Sequence, residues 1–302
     1  MKKYAYPSFI AISLLILFSC KNESKKINNP NDFQFVFMTD IHLQHELNAV
    51  QGFKQAIDSV NKISPDFVIT GGDLVMDALA VNYNRADSLF ELYNETCKNF
   101  KMPVYNTMGN HDVFGIFKES GVKNNNPEYG ENMYEKRIAK RFFSFKHKGF
   151  VFFNLDAIED THKSGYIGMI DSTQLDWIKS QLNSINKNTP IVITTHIPFV
   201  TTWPQIKNGS MITNIHGLIV ENAKEVLDLF KAHNLKLVLQ GHLHFFEDIY
   251  VGNTHFITGG AVCSKWWQGK LDGLEEGFLI LKVKDQSITY EYKDFGWNVG
   301  NE

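Results

Sequence analysis

Residues 33–42 have the sequence FQFVFMTDIH. The first seven are mostly apolar and rich in Phe and Val, which predicts a buried β-strand. Asp40 and His42 follow at once, where that strand should end. Since residues two apart share a face in extended backbone, both side chains can reach a single point. This stretch therefore predicts a core strand that carries two polar groups to its carboxyl end.

The pattern of an apolar strand that ends in polar residues recurs through the first third of the chain. Short apolar runs alternate with helical spacing of apolar residues, which predicts strands over 33–39, 67–70 and 104–108 and helices over 47–63 and 84–99. This alternation favours a parallel sheet with right-handed crossovers. Asp40, Asp73 and Asn110 then fall at one edge of that sheet, beyond the carboxyl ends of its strands.

The rest of the chain is richer in strands. We predict a hairpin over 142–155 and strands over 191–195, 235–240, 249–251, 255–257, 278–283 and 288–292. Antiparallel strands late in a chain favour a second sheet packed on the first. The expected fold class is therefore α/β, an α+β sandwich with two packed mixed β-sheets flanked by helices.

The N-terminal segment differs from the rest of the sequence. Lys2 and Lys3 precede an apolar run, Phe9–Phe18, of about ten residues, which is too short to span a hydrocarbon core of roughly 30 Å. Such a segment is typical of a signal peptide. Its last four residues, Leu17–Cys20, resemble a bacterial lipobox, in which the Cys becomes lipidated after cleavage.

We therefore predict a lipoprotein-type signal peptide over 1–20, with export and a membrane anchor through Cys20 on the periplasmic or cell-surface side. A plain cleaved signal peptide and an uncleaved anchor are the alternatives. The polar stretch 21–31 predicts a flexible tether, and 32–302 a single domain.

Composition narrows the class of protein further. Hydrophobic residues make up 43% of the chain and charged residues 21%, as is ordinary for a globular protein. The net charge of −3 argues against an extended nucleic-acid-binding surface. Cys97 and Cys263 could pair in an oxidising compartment or remain free thiols, and both alternatives stay open, as does the oligomeric state.

Five short polar clusters follow predicted strands in a fixed order. They are Asp40-Ile41-His42, Gly72-Asp73, Gly109-Asn110-His111-Asp112, His196 and Gly241-His242-Leu243-His244. Carboxylate, carboxamide and imidazole donors without a thiolate suit two divalent ions such as Mn²⁺, Fe or Zn²⁺. Asp73 is the natural bridge, because paired ions lie about 3.5–4 Å apart and Gly72 permits a sharp turn. The predicted metal ligands are Asp40, His42, Asp73, Asn110, His196, His242 and His244.

His111 is the one histidine of these clusters that is not a predicted metal ligand, and we predict that it transfers a proton. An acidic neighbour, Asp112, can fix the tautomer of its imidazole, which favours a general acid that protonates a leaving alkoxide. The nucleophile would be a hydroxide that bridges the metals. Together these residues predict metal-dependent hydrolysis of a phosphomonoester or a phosphodiester, with His111 and Asp112 as the catalytic pair.

The five clusters resemble the motifs of the calcineurin-like metallophosphoesterase superfamily, which are Asp-x-His, Gly-Asp, Gly-Asn-His-(Asp/Glu), a lone His and Gly-His-x-His. The resemblance covers residues 35–244 and implies a two-sheet sandwich flanked by helices. It also implies that one metal is held by Asp40, His42, Asp73 and His244, and the other by Asp73, Asn110, His196 and His242.

The chain departs from the motifs of two subfamilies, and these departures indicate which branch of the superfamily it resembles. Purple acid phosphatases lack the first-motif His and carry a Tyr three residues after the second-motif Asp, whereas this chain has His42 and Met76. Protein Ser/Thr phosphatases have Gly after the first His and Glu after Asn-His, whereas this chain has Leu43 and Asp112. The sequence looks more similar to the cyclic-nucleotide phosphodiesterase-like branch.

Candidates for substrate contact lie near or after the last two motifs: Trp203, His216, Phe245, Trp266 and Trp267. Aromatic rings at a pocket mouth can stack on a base, a sugar or a lipid headgroup, so we expect a small nucleotide, sugar or lipid phosphoester as substrate. The membrane would be contacted only through the N-terminal lipid anchor. A non-catalytic metal-binding scaffold on this fold and a metal-dependent nuclease are the alternative functions.

Overall fold

The computed structural model describes residues 29–299. The strands are β1 (Phe33–Met38), β2 (Phe67–Gly71), β3 (Val104–Thr107), β4 (Phe143–His147), β5 (Phe150–Leu155), β6 (Ile158–Asp160), β7 (Tyr166–Gly168), β8 (Pro190–Thr195), β9 (Asn234–Gln240), β10 (Phe246–Val251), β11 (Thr254–Gly259), β12 (Gly277–Lys284) and β13 (Ser287–Asp294). The helices are α1 (Ala49–Ile63), α2 (Tyr83–Cys97), α3 (Asn132–Arg137), α4 (Ser172–Asn183), α5 (Trp203–Asn208) and α6 (Ala223–Phe230). Short 3-10 turns cover Asn110–Asp112 and Lys118–Ser120.

The first sheet has five strands in the order β13-β12-β1-β2-β3. Strands β1, β2 and β3 are parallel, and α1 and α2 connect them as the alternating sequence pattern predicts. The second sheet has six strands in the order β10-β11-β9-β8-β5-β4. Its central strands β5, β8, β9 and β11 are parallel, and β4 and β10 close it as antiparallel edges. The predicted fold class, two mixed sheets flanked by helices, is confirmed.

The late strands differ from the prediction in one respect. They do not form the second sheet by themselves, because β12 pairs with β1 and extends the first sheet. Of the four late strands, β10 and β11 join the second sheet, and the other strands of that sheet come from the middle of the chain. Hydrophobic periodicity reports which face of a strand is buried, but it carries no information on which sheet the strand enters.

Aromatic side chains fill the space between the two sheets. Phe33, Phe35 and Phe37 alternate along β1 and point into this layer, as the period of two in a strand requires. Phe152 of β5 meets them from the second sheet, with its ring 5.5 Å from that of Phe35 and 5.3 Å from that of Phe67. Edge-to-face packing of this kind adds to the free energy gained by burying the rings.

The segment between residues 114 and 134 lacks a clear sequence period and would be expected to form a long loop. In the structure it packs closely against the core, where Phe114 and Tyr134 are fully buried and Phe114 pairs with Gly130 through the backbone. The conformation of such irregular backbone is set by tertiary contacts, so the sequence shows no hydrophobic period from which it could be predicted.

The predicted signal peptide and residues 21–28 of the predicted tether lie outside the described residues. Asn29, at the end of the predicted tether, hydrogen-bonds to Asp285 through its side chain, with 2.9 Å between Nδ2 and Oδ1. Within residues 29–299 no helix combines the length and the apolar character needed to cross a bilayer.

Replacing Phe152 by Ala should lower the free energy of unfolding by about 3–5 kcal/mol, because the ring is fully buried and its removal leaves a cavity between the sheets. Phe152→Leu is the matched control and should lose less than about 1.5 kcal/mol. Equilibrium unfolding in urea measures both changes. A loss below about 1 kcal/mol in the Ala variant would show that the inter-sheet layer is packed differently.

Candidate metal centre

The predicted metal ligands come from both sheets and meet at one edge. Asp40 follows β1, Asp73 follows β2, Asn110 follows β3 and His196 follows β8. His242 and His244 follow β9 in the same way. All five strands run parallel to a neighbour within their sheets, so their carboxyl ends gather at one rim of the sandwich.

Six of the seven side chains form an unbroken series of close contacts. The series begins at Asp40, whose Oδ1 lies 3.3 Å from His244 Nε2, and that nitrogen lies 3.0 Å from His42 Nε2. Asp73 Oδ2 follows, 3.4 Å from His42 Nε2 and 3.2 Å from His196 Nε2. The series ends at Asn110, whose Oδ1 lies 3.1 Å from His196 Nε2. The seventh, His242, offers a nitrogen within 4.8 Å of ligand atoms of Asp73 and His196. Asp73 lies at the middle of the series.

The turn around Asp73 depends on a glycine. Gly72 has a φ of +94°, and a Cβ there would overlap the imidazole of His196. Only glycine combines this backbone conformation with such a close approach. The Asp73 backbone also stabilises the first motif, because its carbonyl oxygen accepts hydrogen bonds from the N–H groups of Ile41 and His42, both at 2.9 Å.

Five of the ligand residues have left-handed backbone, which is unfavourable for residues other than glycine. The φ angles are +54° at Asp40, +45° at His42, +52° at Asp73, +73° at His242 and +48° at His244. Each such residue carries strain of about 1–3 kcal/mol, and the surrounding structure must hold it. Strain of this kind concentrates where backbone geometry is fixed to aim functional side chains.

Hydrogen bonds to the backbone orient two of the imidazoles. Nδ1 of His196 donates to the Gly71 carbonyl oxygen at 2.8 Å, and Nδ1 of His244 donates to that of Ser264 at 2.6 Å. Each bond turns Nε2 of the ring towards the carboxylates. An N–H that is held in this way fixes the ring orientation and tautomer that a metal-binding histidine needs.

The electrostatics of the centre favour ionised carboxylates. Burial opposes ionisation of Asp73, but the neighbouring charge of His196 keeps the pKa of its carboxyl well below the usual value. Burial lowers the pKa of His42 well below its usual value and that of His242 to about 4, which leaves both imidazoles neutral. Burial also opposes protonation of His196, yet Asp73 raises its pKa to about 9. A metal ion must displace that proton.

The donor set fits divalent metal ions. Buried carboxylates, a carboxamide oxygen and imidazole nitrogens converge, with Asp73 Oδ2 within 3.4 Å of the imidazoles of His42 and His196. The structure also adds a donor that was excluded at the sequence level. The buried Cys263 thiol lies within 4.8 Å of nitrogens of His42 and His244, so a thiol does stand beside the predicted ligands. Its amide donates to the Asp40 carbonyl oxygen at 3.2 Å, a tertiary pairing that spacing alone does not reveal.

The two predicted catalytic residues have different surroundings from those expected. Nδ1 of His111 donates to the Met76 carbonyl oxygen at 2.5 Å, so a backbone group, and not Asp112, sets the tautomer. The fully buried Asp112 carboxylate accepts the N–H groups of Gly109, Leu74 and Val75 at 2.8–3.1 Å. Burial raises the pKa of Asp112 to about 7. Asp112 thus links the Gly109–Asp112 motif to the backbone directly after the Gly72-Asp73 motif through hydrogen bonds.

The predicted substrate residues separate into different environments. The half-buried ring of Trp266 lies 4.7 Å from that of His244 and 6.2 Å from that of His42. Trp267, also predicted to bind substrate, is fully buried, and its Nε1–H donates to the carbonyl oxygens of Ile41 and His42 at 3.0 and 3.2 Å. Consecutive residues of an irregular loop point in different directions, which sequence spacing does not resolve.

The other three candidates make no hydrogen bond or ring contact with the predicted ligands within residues 29–299. His216 is exposed and pairs with Glu221, Trp203 is half-buried at the start of α5, and Phe245 is half-buried beside the last motif. Tyr166 was missed by sequence analysis, although its half-buried ring lies 6.3 Å from that of His242. It lies on β7, a three-residue strand that is too short to carry a periodic signal.

A two-sheet α/β sandwich with buried carboxylates and imidazoles at its strand ends defines a metal-dependent hydrolase. The family model of calcineurin-like phosphoesterases matches residues 33–246, and the chain belongs to that family. It is therefore a hydrolase that acts on phosphoester bonds.

Several known proteins resemble the chain at low identity. Purple acid phosphatase 3 of Arabidopsis thaliana is 22% identical, with 95% of this chain and 83% of that protein covered. A probable cyclic nucleotide phosphodiesterase of Xenorhabdus bovienii is 21% identical, with 78% of this chain and 87% of that protein covered. The crystal structure of a dimetal phosphatase from Danio rerio superimposes with a TM-score of 0.60 at 13% identity, covering 87% of this chain and 96% of the other. GAP50, the anchor in the inner membrane complex of Plasmodium, superimposes with a TM-score of 0.54 at 18% identity, covering 87% and 85%.

Replacing Trp267 by Phe should weaken metal binding about tenfold or more, because it removes the N–H that holds the strained backbone at His42. Competition with a chromophoric chelator measures the affinity. Trp297→Phe is the control, since Trp297 contacts Trp267 but its buried Nε1 has no hydrogen-bond partner among residues 29–299. Equal effects of the two substitutions would assign the change to ring packing and contradict the role of the N–H.

Replacing Asp112 by Asn should lower the free energy of unfolding by about 1–3 kcal/mol, because a carboxamide turns an NH₂ group towards backbone N–H donors. Asp77→Asn is the control, since within the described part of the chain Asp77 Oδ1 accepts only the Ala80 N–H, at 3.0 Å, which an Asn oxygen can also accept. Thermal and urea unfolding measure both variants. If Asp112→Asn lost activity at unchanged stability, the carboxylate would have a chemical role instead.

Proposed function

We propose that the chain is a dinuclear metallohydrolase, with Asp73 shared between two divalent ions of the Mn, Fe or Zn type. One observation carries this proposal: Asp73 Oδ2 lies within 3.4 Å of His42 Nε2 on one side and 3.2 Å from His196 Nε2 on the other. When bound, two such ions supply Lewis acidity and lower the pKa of water near a phosphoester.

The residues divide into two ligand groups around Asp73. Asp40, His42 and His244 would complete one ion, while Asn110, His196 and His242 would complete the other. The first group is supported by the contacts of His244 Nε2 with Asp40 and His42, and the second by the contact of His196 Nε2 with Asn110. Cys263 lies on the side of the first group.

His111 is proposed as the general acid. Its Nδ1 is held by the Met76 carbonyl oxygen, and its amide donates to Asp73 Oδ1 at 2.8 Å. These bonds fix the ring beside His42, with 4.7 Å between ring centroids. Nε2 makes no hydrogen bond within residues 29–299, so it can deliver a proton to a leaving-group oxygen when the imidazole is protonated.

Residue identities favour the cyclic-nucleotide phosphodiesterase-like branch over the purple acid phosphatases. The chain has His42 and lacks the Tyr that would replace Met76, even though a purple acid phosphatase is among its relatives. The two relatives differ in reaction, and the proposed substrate is accordingly a small phosphomonoester or phosphodiester. The complete ligand set and His111 favour an enzyme over a scaffold, and the net charge of −3 weighs against a nuclease.

The proposed location is an exported one, with a lipid anchor at Cys20. Its support is the basic start, the short apolar run and the Leu-Phe-Ser-Cys sequence at 17–20. Labelling of cells with a radioactive fatty acid, followed by comparison with a Cys20→Ala variant, tests the anchor directly.

Replacing His111 by Ala should lower kcat for an alkyl phosphoester by about 10²–10⁴-fold, because the leaving alkoxide then loses its proton donor. The loss should be smaller for a 4-nitrophenyl ester, whose leaving group needs no proton. Steady-state kinetics with Mn²⁺ supplied measure both effects, and elemental analysis should find two metal ions per chain before and after the substitution.

His45→Ala is the matched control for this variant. His45 lies close after the first motif, is exposed, and bonds to Ser88 at 2.7 Å. Because His111 also offers a nitrogen within 4.8 Å of His42 and Asp73, loss of one metal ion in His111→Ala would make it a ligand instead of the acid. Fewer than two ions per chain in the unsubstituted protein would contradict the dinuclear proposal.

A further inference from the structure

The segment that leaves His196 towards α6 exposes an unusual concentration of apolar side chains. Ten large apolar side chains are exposed within residues 29–299, and four of them fall between 206 and 215. Their exposed fractions are 65% for Ile206, 92% for Met211, 44% for Ile212 and 68% for Ile215. Such a cluster on a soluble surface marks a site of contact with another molecule. Residues 203–216 are called the apolar arch below.

One end of the apolar arch reaches the side of the centre that holds His242. Gly217, directly after the arch, lies beside the ring of Tyr166, since a Cβ added at Gly217 would lie 3.5 Å from that ring. The Tyr166 ring in turn lies 6.3 Å from that of His242. Beyond Gly217, the Val220 N–H donates to the Pro198 carbonyl oxygen at 2.8 Å, which returns the chain to within two residues of His196.

The middle of the apolar arch pairs with the loop that follows β11. Lys207 of α5 forms an ion pair with Asp272, which belongs to the loop between β11 and β12. That loop also carries Trp266, whose ring lies 4.7 Å from that of His244. The arch is therefore held at two points, one directly before Gly217 beside Tyr166 and one at the loop that carries Trp266.

We propose that the apolar arch binds the hydrocarbon part of the substrate, so that the natural phosphoester is amphiphilic. This inference rests on the proposed phosphoesterase function. The occupant is the substrate itself because the arch is held next to Tyr166, whose ring neighbours that of His242, and is paired with the loop of Trp266, whose ring neighbours that of His244. A polar substrate such as a sugar phosphate would leave these four side chains in water, with no gain from their position.

The test is calorimetric titration of the metal-loaded protein with methyl-, butyl- and octylphosphonate, which share a headgroup and resist hydrolysis. The dissociation constant should fall at least about tenfold from the methyl to the octyl compound, since full burial of one methylene group is worth about fourfold in affinity. In a Met211→Ser/Ile215→Ser variant that fall should shrink to less than about threefold, while methylphosphonate binding stays unchanged.

The control is Tyr250→Ser/Val251→Ser, which removes a comparable exposed pair on β10, with exposed fractions of 60% and 58%. It should keep the full chain-length dependence. Equal affinities for the three phosphonates in the unsubstituted protein would overturn the inference, as would an equal loss in the control variant.

Two other occupants give their own results. If the protein binds phosphatidylglycerol vesicles through Met211 and Ile215, and its affinity is the same for all three phosphonates, the arch is a membrane contact. If the protein is a dimer that these substitutions dissociate, and its affinity is again the same for all three, the arch is a contact between copies of the chain. Either outcome overturns the proposal. Failure of the proposed function is separate: the metal-loaded protein would then hydrolyse neither 4-nitrophenyl phosphate nor its bis ester, whatever the phosphonates do.

Discussion

The buried carboxylate of Asp73, held between the imidazoles of His42 and His196, is the interaction around which the rest of the site is arranged. An ionised carboxylate at this depth is unfavourable without partners. Its partners are supplied by β1 and its following turn, by β8, and by the His111 amide after β3. The two sheets must therefore pack at one fixed offset for this charge to be satisfied.

That requirement explains why the motif residues have unfavourable backbone. Asp40, His42, Asp73, His242 and His244 all occupy the left-handed region, and none of them is glycine. The strain is held by bonds from outside each motif, including those from Trp267 to the first motif and from Asp112 to the turn after β2. Residues outside the predicted ligand set thus fix the direction of the ligands.

The sequence allowed much of this arrangement to be predicted. Apolar runs that end in Asp, Asn or His located the strand ends, and the side chains named from them do come together. The surroundings of the site were less accessible. Nothing in the spacing places Cys263 next to His42 and His244, separates Trp266 from Trp267, or brings Tyr166 to the same rim. Asp112 shows the limit most clearly, because its neighbour in sequence is His111 but its partners are backbone groups near Leu74.

By itself, the sequence determined the parallel strand–helix alternation, the donor residues and their chemical class, because these follow from periodicity and side-chain type along a local stretch. Only the tertiary structure decided that β12 and β13 return to the first sheet, that a backbone carbonyl orients His111, and that Gly217, directly after the apolar arch, lies beside Tyr166. Those features depend on contacts between residues far apart in the chain, and local sequence does not encode the packing that creates them.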